Sequence, residues 1–240
     1  MDGALLHALN GFATHHDGFE DALSLYERLG ELLFVVLLGG LLLAGGARLR
    51  RGAVAAGLGA AVALACAQVL ARVVDRPRPF VADPSGVHLF AAHAADPGFP
   101  SDHATAAFAI AVALLLRDRR CGAAVLVLAS ALAVGRVAIG VHYPSDVLAG
   151  AALGAAVALL LHIPAARARI DRLADRAGSV IAILRDAVAT GVRVEHTTGK
   201  RRSSFEAARL GISPVHRSPC EDLCHDDEHR TRDPPSPEAV

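Results

Sequence analysis

An all-α, polytopic membrane helix bundle is predicted by three observations: hydrophobic residues make up 53% of the 240-residue chain, they gather in blocks, and arginine-rich breaks separate the blocks. Mean hydropathy is +0.40 and 24 basic residues balance 24 acidic ones, so the layout of charge carries the information rather than its sum. With charge balanced, no nucleic-acid partner is expected. No basic segment, short apolar core and small-residue cleavage site open the chain, so no removable signal peptide is expected and the first apolar segment directs insertion. Cys66 lies in an apolar block, Cys121 at a basic turn, and Cys220 and Cys224 near the end, which suggests no disulfide framework.

Residues 1–28 mix Leu5, Leu6, Leu9, Phe12 and Phe19 with His7, His15, His16, Asp17 and Glu20, too polar to span and suited to an interfacial amphipathic helix. A core of five apolar runs then occupies residues 29–164. Leu32 to Ala47 is short against the roughly 20 residues a bilayer requires, and Leu29 and Gly30 extend it past Glu31. Gly52 to Ala71 is full length and rich in Ala and Gly, which lets helices approach closely. After a polar loop come Ala104 to Leu116, which gains length by starting its helix at Ser101, then Gly122 to Ile139 and Val147 to Ile163. Short runs also fit buried helices of a soluble bundle, but five blocks almost free of internal charge weigh against that.

The basic breaks Arg48/Arg50/Arg51, Arg117/Arg119/Arg120 and Arg167/Arg169 fall on one side of a five-span topology, which makes that side cytoplasmic. The loop 72–103 and the stretch 136–146 then face the extracytoplasmic side. Over residues 165–194, Ile170, Leu173, Ala177, Val180, Ile181, Leu184 and Val188 recur at helical spacing with arginines among them. A cytoplasmic amphipathic helix on an anionic leaflet, or a soluble packing helix, fits that pattern. From 195 to 240 the chain is polar and Pro-containing, and a disordered cytoplasmic tail is expected. Cys220, Cys224, His225 and His229 lie there at no recognisable zinc spacing, so no metal site is assigned.

Three polar stretches carry the chemistry. In Gly135 to Asp146, His142 and Asp146 are four residues apart around the Pro144 turn, close enough for the carboxylate to take the Nδ1 proton and leave Nε2 facing a substrate as nucleophile or base. Arg136 adds a fixed fork of donors suited to phosphate oxygens. In Phe99 to Thr105, Ser101 is a good N-cap, the following amides favour an anion, and His103 in the first turn can protonate a leaving oxygen. In Arg76-Pro77-Arg78-Pro79-Phe80 two prolines hold the backbone extended and aim the guanidinium groups as a rigid phosphoryl clamp, with Arg72 just before. Each stretch alone also fits an ordinary helix end at the headgroups. Positive charge on the extracytoplasmic side runs against the usual bias, however.

Arg78-Pro79, then Pro100-Ser101-x-His103, then Arg136 with His142 and Asp146 together resemble the three-part signature of the type 2 phosphatidic acid phosphatase superfamily, over roughly residues 1–163. Arg-Pro-Arg-Pro-Phe and the run from His93 through Asp96 to Thr105 look most like its undecaprenyl-diphosphatases of the bacitracin-resistance type, which recycle the lipid carrier of cell-wall synthesis. The resemblance implies a haloperoxidase-like helical bundle with His142 as the nucleophile that forms a phosphohistidine and Asp146 holding its tautomer. It further implies His103 as acid and then base, and Arg78, Arg136 and the Ser101 amide and hydroxyl as phosphoryl-binding groups. Arg72, Arg76 and Asp102 are placed with the phosphate-binding positions; no metal or other cofactor is implied. Three positions depart from the superfamily pattern: Ala71 stands where a Lys is usual, Asp102 where Gly is common, and Gly135 where Ser is common.

The expected activity is hydrolysis of a polyprenyl diphosphate to the monophosphate in the cytoplasmic membrane. A broader lipid phosphatase acting on phosphatidic acid or phosphatidylglycerol phosphate, and a non-catalytic lipid-binding relative, are the alternatives. Oligomeric state is not legible in the sequence. A transporter would place several polar residues near the midplane of its spans, and only Gln68 qualifies.

Overall fold

The structure, a computed structural model, describes residues 2–90 and 93–209. Among the described residues eight helices follow in order: α1 (Asp2–Thr14), α2 (Asp17–Ala44), α3 (Ala47–Val74), α4 (Pro79–Ala82), α5 (Asp102–Leu115), α6 (Arg119–Ala138), α7 (Pro144–Leu161) and α8 (Pro164–Arg209). There is no strand among the described residues. Three stretches are long and apolar enough to cross a membrane, Ala47–Ala82, Arg119–Ala138 and Pro144–Leu161. Leu29–Ala44 and Asp102–Leu115 are shorter apolar helices. The fold is therefore the all-helical membrane bundle expected, built on the same five apolar blocks.

Helix α5 is the centre of the bundle and packs against α3, α6 and α7. Its Ala107, Ala109, Ala111 and Ala113 are buried, so the neighbouring helices meet it at close range. Helix α7 approaches it closely at two glycines. A Cβ on Gly154 would lie 2.2 Å from the Thr105 carbonyl oxygen, and one on Gly150 would lie 2.6 Å from that of Ser101. These are backbone atoms, so a methyl group there must part the two helices. Gly154→Ala is expected to cost about 1–3 kcal/mol by overpacking and to lower the unfolding temperature in detergent, whereas Gly39→Ala, with nothing within 4 Å, leaves it unchanged. Equal unfolding temperatures for the two variants would show that the contact does not hold the helices together.

The helices end where the sequence provides caps. Ser101 accepts from the Ala104 amide and starts α5, and Asp118 accepts from the Arg120 and Cys121 amides and starts α6. Helix α3 ends at Asp75 in the left-handed region (φ 42°), and the prolines at 77 and 79 then prevent the helix from resuming at once. Gly140 also has positive φ (83°), with Val87 packed where its side chain would be, and it turns the chain from α6 into His142.

Two ends of the bundle differ in chemistry. At one, the Arg51 guanidinium donates twice to Asp175 at 2.9 Å, Arg117 pairs with Asp171 at 2.8 Å, and Arg48 Nε donates to the Arg117 carbonyl. These contacts join the starts of α3 and α8 to the end of α5. The other ends of α3 and α5 carry the polar residues described below.

Residues 1–28, expected as one interfacial segment, are two pieces. Helix α1 buries Leu6, Asn10 and Ala13, and Asn10 donates at 2.8 Å to the carbonyls of His88 and Ala138 and accepts from the His88 amide. Leu6 and Ala13 are thus covered by protein while Leu5 and Phe12 stay exposed, and residues from Asp17 already belong to α2. At the other end of the chain the compact core runs through Asp186 and includes the first part of α8, where Ile170 and Ala174 are buried. A second unit begins at Ala187, and its described part is the remainder of α8, which is helical through Arg209. Residues 210–240, with Cys220, Cys224, His225 and His229, lie outside the described residues.

Candidate active site

The end of α3, the loop before α5, the first turn of α5 and the α6–α7 turn meet around a cavity of about 450 Å³. Arg72, Arg78, Asp102, His103, Arg136 and His142 line it, as the sequence led us to expect, and so do Glu31, Gln68, His93 and Asp96. With Glu31 of α2, residues from five separate stretches therefore face one space, and cations and imidazoles dominate it.

His142 is buried, and its two ring nitrogens have different partners. Nδ1 lies 2.9 Å from the Gly98 carbonyl oxygen and Nε2 lies 3.2 Å from Arg78 Nη1. A carbonyl only accepts and a guanidinium only donates, so Nδ1 carries the proton and Nε2 presents its lone pair to the cavity. Burial pushes the imidazole below the usual histidine value; Arg136 and Arg78 act in the same direction and Asp146 opposes them. A neutral ring whose Nε2 carries the lone pair is the form that can attack an electrophile once substrate takes the place of the Arg78 contact.

Asp146 does not hold this tautomer, contrary to expectation. Its Oδ2 is 3.9 Å from Nδ1, beyond hydrogen-bond range, and accepts instead from the Tyr143 amide at 2.8 Å. Its Oδ1 accepts from Arg76 Nη1 at 2.7 Å. Asp146 thus ties the turn that carries His142, while a backbone carbonyl fixes the ring.

Arg76 likewise departs from its expected place. It lies over the Tyr143 ring at 4.1 Å, bonds Ser145 Oγ and Asp146, and meets Asp2 at 2.9 Å. Two carboxylates neutralise it away from the cavity, so it braces the α6–α7 turn rather than clamping phosphate. Burial alone would raise the Asp2 carboxyl, but the bonds from Ser145 and Arg76 hold it below the usual carboxylate range. No feature of the sequence around Asp2 pointed to this pair.

Arg78 and Arg136 are the buried cations of the cavity. Arg78 Nε donates to Asp96 at 2.9 Å, which leaves Nη1 directed at Val141 O and His142. Arg136 Nη2 lies 3.0 Å from His93 Nε2. Burial and then the charges of Arg136 and Arg78 push His93 down to about 4, so it is neutral at pH 7 and accepts from Arg136. His93 and Asp96 had no role in the sequence reading, and their partners show what they do: each orients one arginine.

The remaining expected positions divide. His103 faces the cavity, its Nε2 2.8 Å from Glu31 Oε1. Arg72 lines the cavity from the end of α3, beside Ala71. The Ser101 amide donates to the Asp146 carbonyl at 3.0 Å and is thereby committed, while its hydroxyl accepts from the Ala104 amide and caps α5. Asp102 accepts from Gln68 at 2.7 Å, and a carboxylate, having only acceptors when ionised, cannot hold phosphate oxygens.

Residues 52–169 match the PAP2 superfamily. Over 148 residues the chain is 31% identical to the undecaprenyl-diphosphatase BcrC of Bacillus subtilis, covering 62% of this chain and 76% of that one. It is 40% identical over 130 residues to a decaprenylphosphoryl-5-phosphoribose phosphatase of Mycobacterium tuberculosis, covering 54% of this chain and 68% of the relative. Among solved structures, Aquifex aeolicus LpxE shares the fold with a TM-score of 0.52 at 21% identity, over 66% of this chain and 93% of that one. The match across the helices that build the cavity, together with that share of BcrC's length, assigns this chain to the PAP2 superfamily as a multi-pass membrane phosphatase.

Proposed function

We propose that the protein hydrolyses the terminal phosphate of a polyprenyl diphosphate, undecaprenyl diphosphate foremost, through a phosphohistidine on His142. The observation that carries this reading is the convergence of the His142 Nε2 lone pair with the Arg78 and Arg136 guanidinium groups in one cavity. Phosphoryl transfer chiefly needs an aligned nucleophile and neutralisation of the equatorial oxygens, and this set provides both. His142 Nε2 attacks the terminal phosphorus, the bond to the bridging oxygen breaks, and its electron pair leaves with the lipid monophosphate. His103 gives that oxygen a proton. His103 then takes a proton from water as the water oxygen attacks the phosphohistidine, releasing phosphate and restoring His142.

A lipid substrate is supported by a second, apolar groove of about 380 Å³ between α2, α3 and α5, lined by Phe34, Val35, Leu38, Ala60, Leu64 and Ile110. It shares Glu31, Asp102 and His103 with the polar cavity, so a phosphate held by the arginines has an apolar path for its chain. The similarity to an undecaprenyl-diphosphatase and to a phosphatase of another polyprenyl lipid supports a prenyl chain. The arginine-rich end faces the cytoplasm in this reading, which puts the cavity at the outer face of the cytoplasmic membrane and α8 with the following tail inside. The phosphatase core is residues 29–164.

The test is phosphate release by detergent-purified protein in EDTA from undecaprenyl diphosphate, phosphatidic acid and phosphatidylglycerol phosphate. Preference for the diphosphate is expected, and EDTA leaves it intact because the neutralising charges are guanidinium groups of the chain. Preference for a glycerolipid would move the substrate assignment, and no release from any of the three would contradict the catalytic reading.

A further inference from the structure

We propose that Glu31 is a positioning residue for His103, holding one ring nitrogen so that the imidazolium form faces the leaving oxygen; this rests on the reading of His103 as the proton donor. Glu31 is the one charged residue in the apolar stretch Leu29–Ala44. It lies near the start of that stretch, and a carboxylate at the edge of a membrane helix calls for a compensating contact. The contact is with His103, whose Nε2 lies 2.8 Å from Glu31 Oε1. Since the carboxylate accepts, Nε2 carries a proton, and the second ring nitrogen is the one free to exchange a proton with substrate and water.

Placement and charge support this role. Glu31 and His103 stand where the polar cavity opens into the apolar groove, between the arginines that would hold the terminal phosphate and the path for the lipid, which is where the bridging oxygen falls in this reading. Arg78 and Arg136 face the same cavity, with the neutral rings of His93 and His142 beside them, and the two guanidinium charges disfavour a positive charge on His103. Glu31 supplies the opposing charge from α2. In the first step the proton passes from His103 to the oxygen that takes the electrons of the broken phosphorus–oxygen bond; in the second His103 recovers a proton from water. Glu31 stays ionised throughout, as the carboxylate does in a carboxylate–histidine pair.

Glu31 is 73% exposed at its side chain, so its replacement leaves no hole in the core. The experiment is a double-mutant cycle of Glu31→Ala and His103→Ala, with Glu31→Gln and Glu31→Asp alongside, followed on undecaprenyl diphosphate and on p-nitrophenyl phosphate. Glu31→Ala is expected to lower kcat by about 10²-fold with KM within about threefold, and to add less than about threefold to the loss already caused by His103→Ala. Asp restores part of the rate and Gln does not. Additive losses, a change confined to KM, or full activity of Glu31→Gln would overturn the proposal. If the wild type hydrolyses p-nitrophenyl phosphate but not the diphosphate, the substrate assignment fails while the cycle on the aryl ester still decides the role of Glu31.

Discussion

Replacement of His142 by Ala is expected to lower phosphate release by at least about 10⁴-fold, the scale of loss when a covalent nucleophile is removed. The expectation follows from atoms rather than from the residue type. Nδ1 is committed to the Gly98 carbonyl, Nε2 alone faces the cavity, and the ring is held on both sides by groups that do not move with it. His93, although also in the cavity, accepts from Arg136 and so has its Nε2 occupied. His103, the third imidazole of the cavity, has its Nε2 2.8 Å from Glu31. Stability should change little, since the small void left opens onto the cavity, and unfolding of the variant in detergent checks that the protein is intact. Activity within about a hundredfold of wild type would remove His142 from the mechanism.

The second large effect is expected at Arg78. Arg78→Ala should reduce kcat/KM by about 10³-fold, at the upper end for loss of one oxyanion-stabilising donor. The excess over a simple donor has a geometric cause: the same guanidinium holds Asp96 through Nε and aligns His142 through Nη1. Arg78→Lys should recover less than about tenfold of that loss, because a single ammonium cannot make both contacts. Near wild-type kcat/KM for the Lys variant would show that charge alone matters and that the fork does not.

The helices were legible because membrane spans declare themselves by composition and because Ser101 marks a helix start by its capping chemistry, whereas the starts at Asp118, Pro79 and Pro144 emerge only in the fold. The convergence of Arg78, His103, Arg136 and His142 was legible too, since each lies at a span end on the same side of an alternating topology. What escaped were pairings that depend on the rotation of one helix about its axis relative to a distant one. Arg76 meets Asp2 across 74 positions of chain, and only the docking of α1 brings them together. Glu31 read as an interruption of an apolar run until α2 was placed beside α5. The error over Asp146 has a different origin: four-residue spacing puts it within reach of His142, but the Tyr143 amide and Arg76 are nearer and stronger partners. A backbone carbonyl such as that of Gly98 leaves no trace in a sequence at all.

The central claim, a covalent phosphoryl group on His142, is tested most directly by trapping. Wild-type protein is mixed with undecaprenyl diphosphate labelled in its terminal phosphate, quenched in alkali within the first turnover, and digested to locate the label. The label should sit on the peptide containing His142, survive alkali, be lost in acid, and be absent from His142→Ala. Full turnover without any alkali-stable label on the chain, or the same label in His142→Ala, would contradict it.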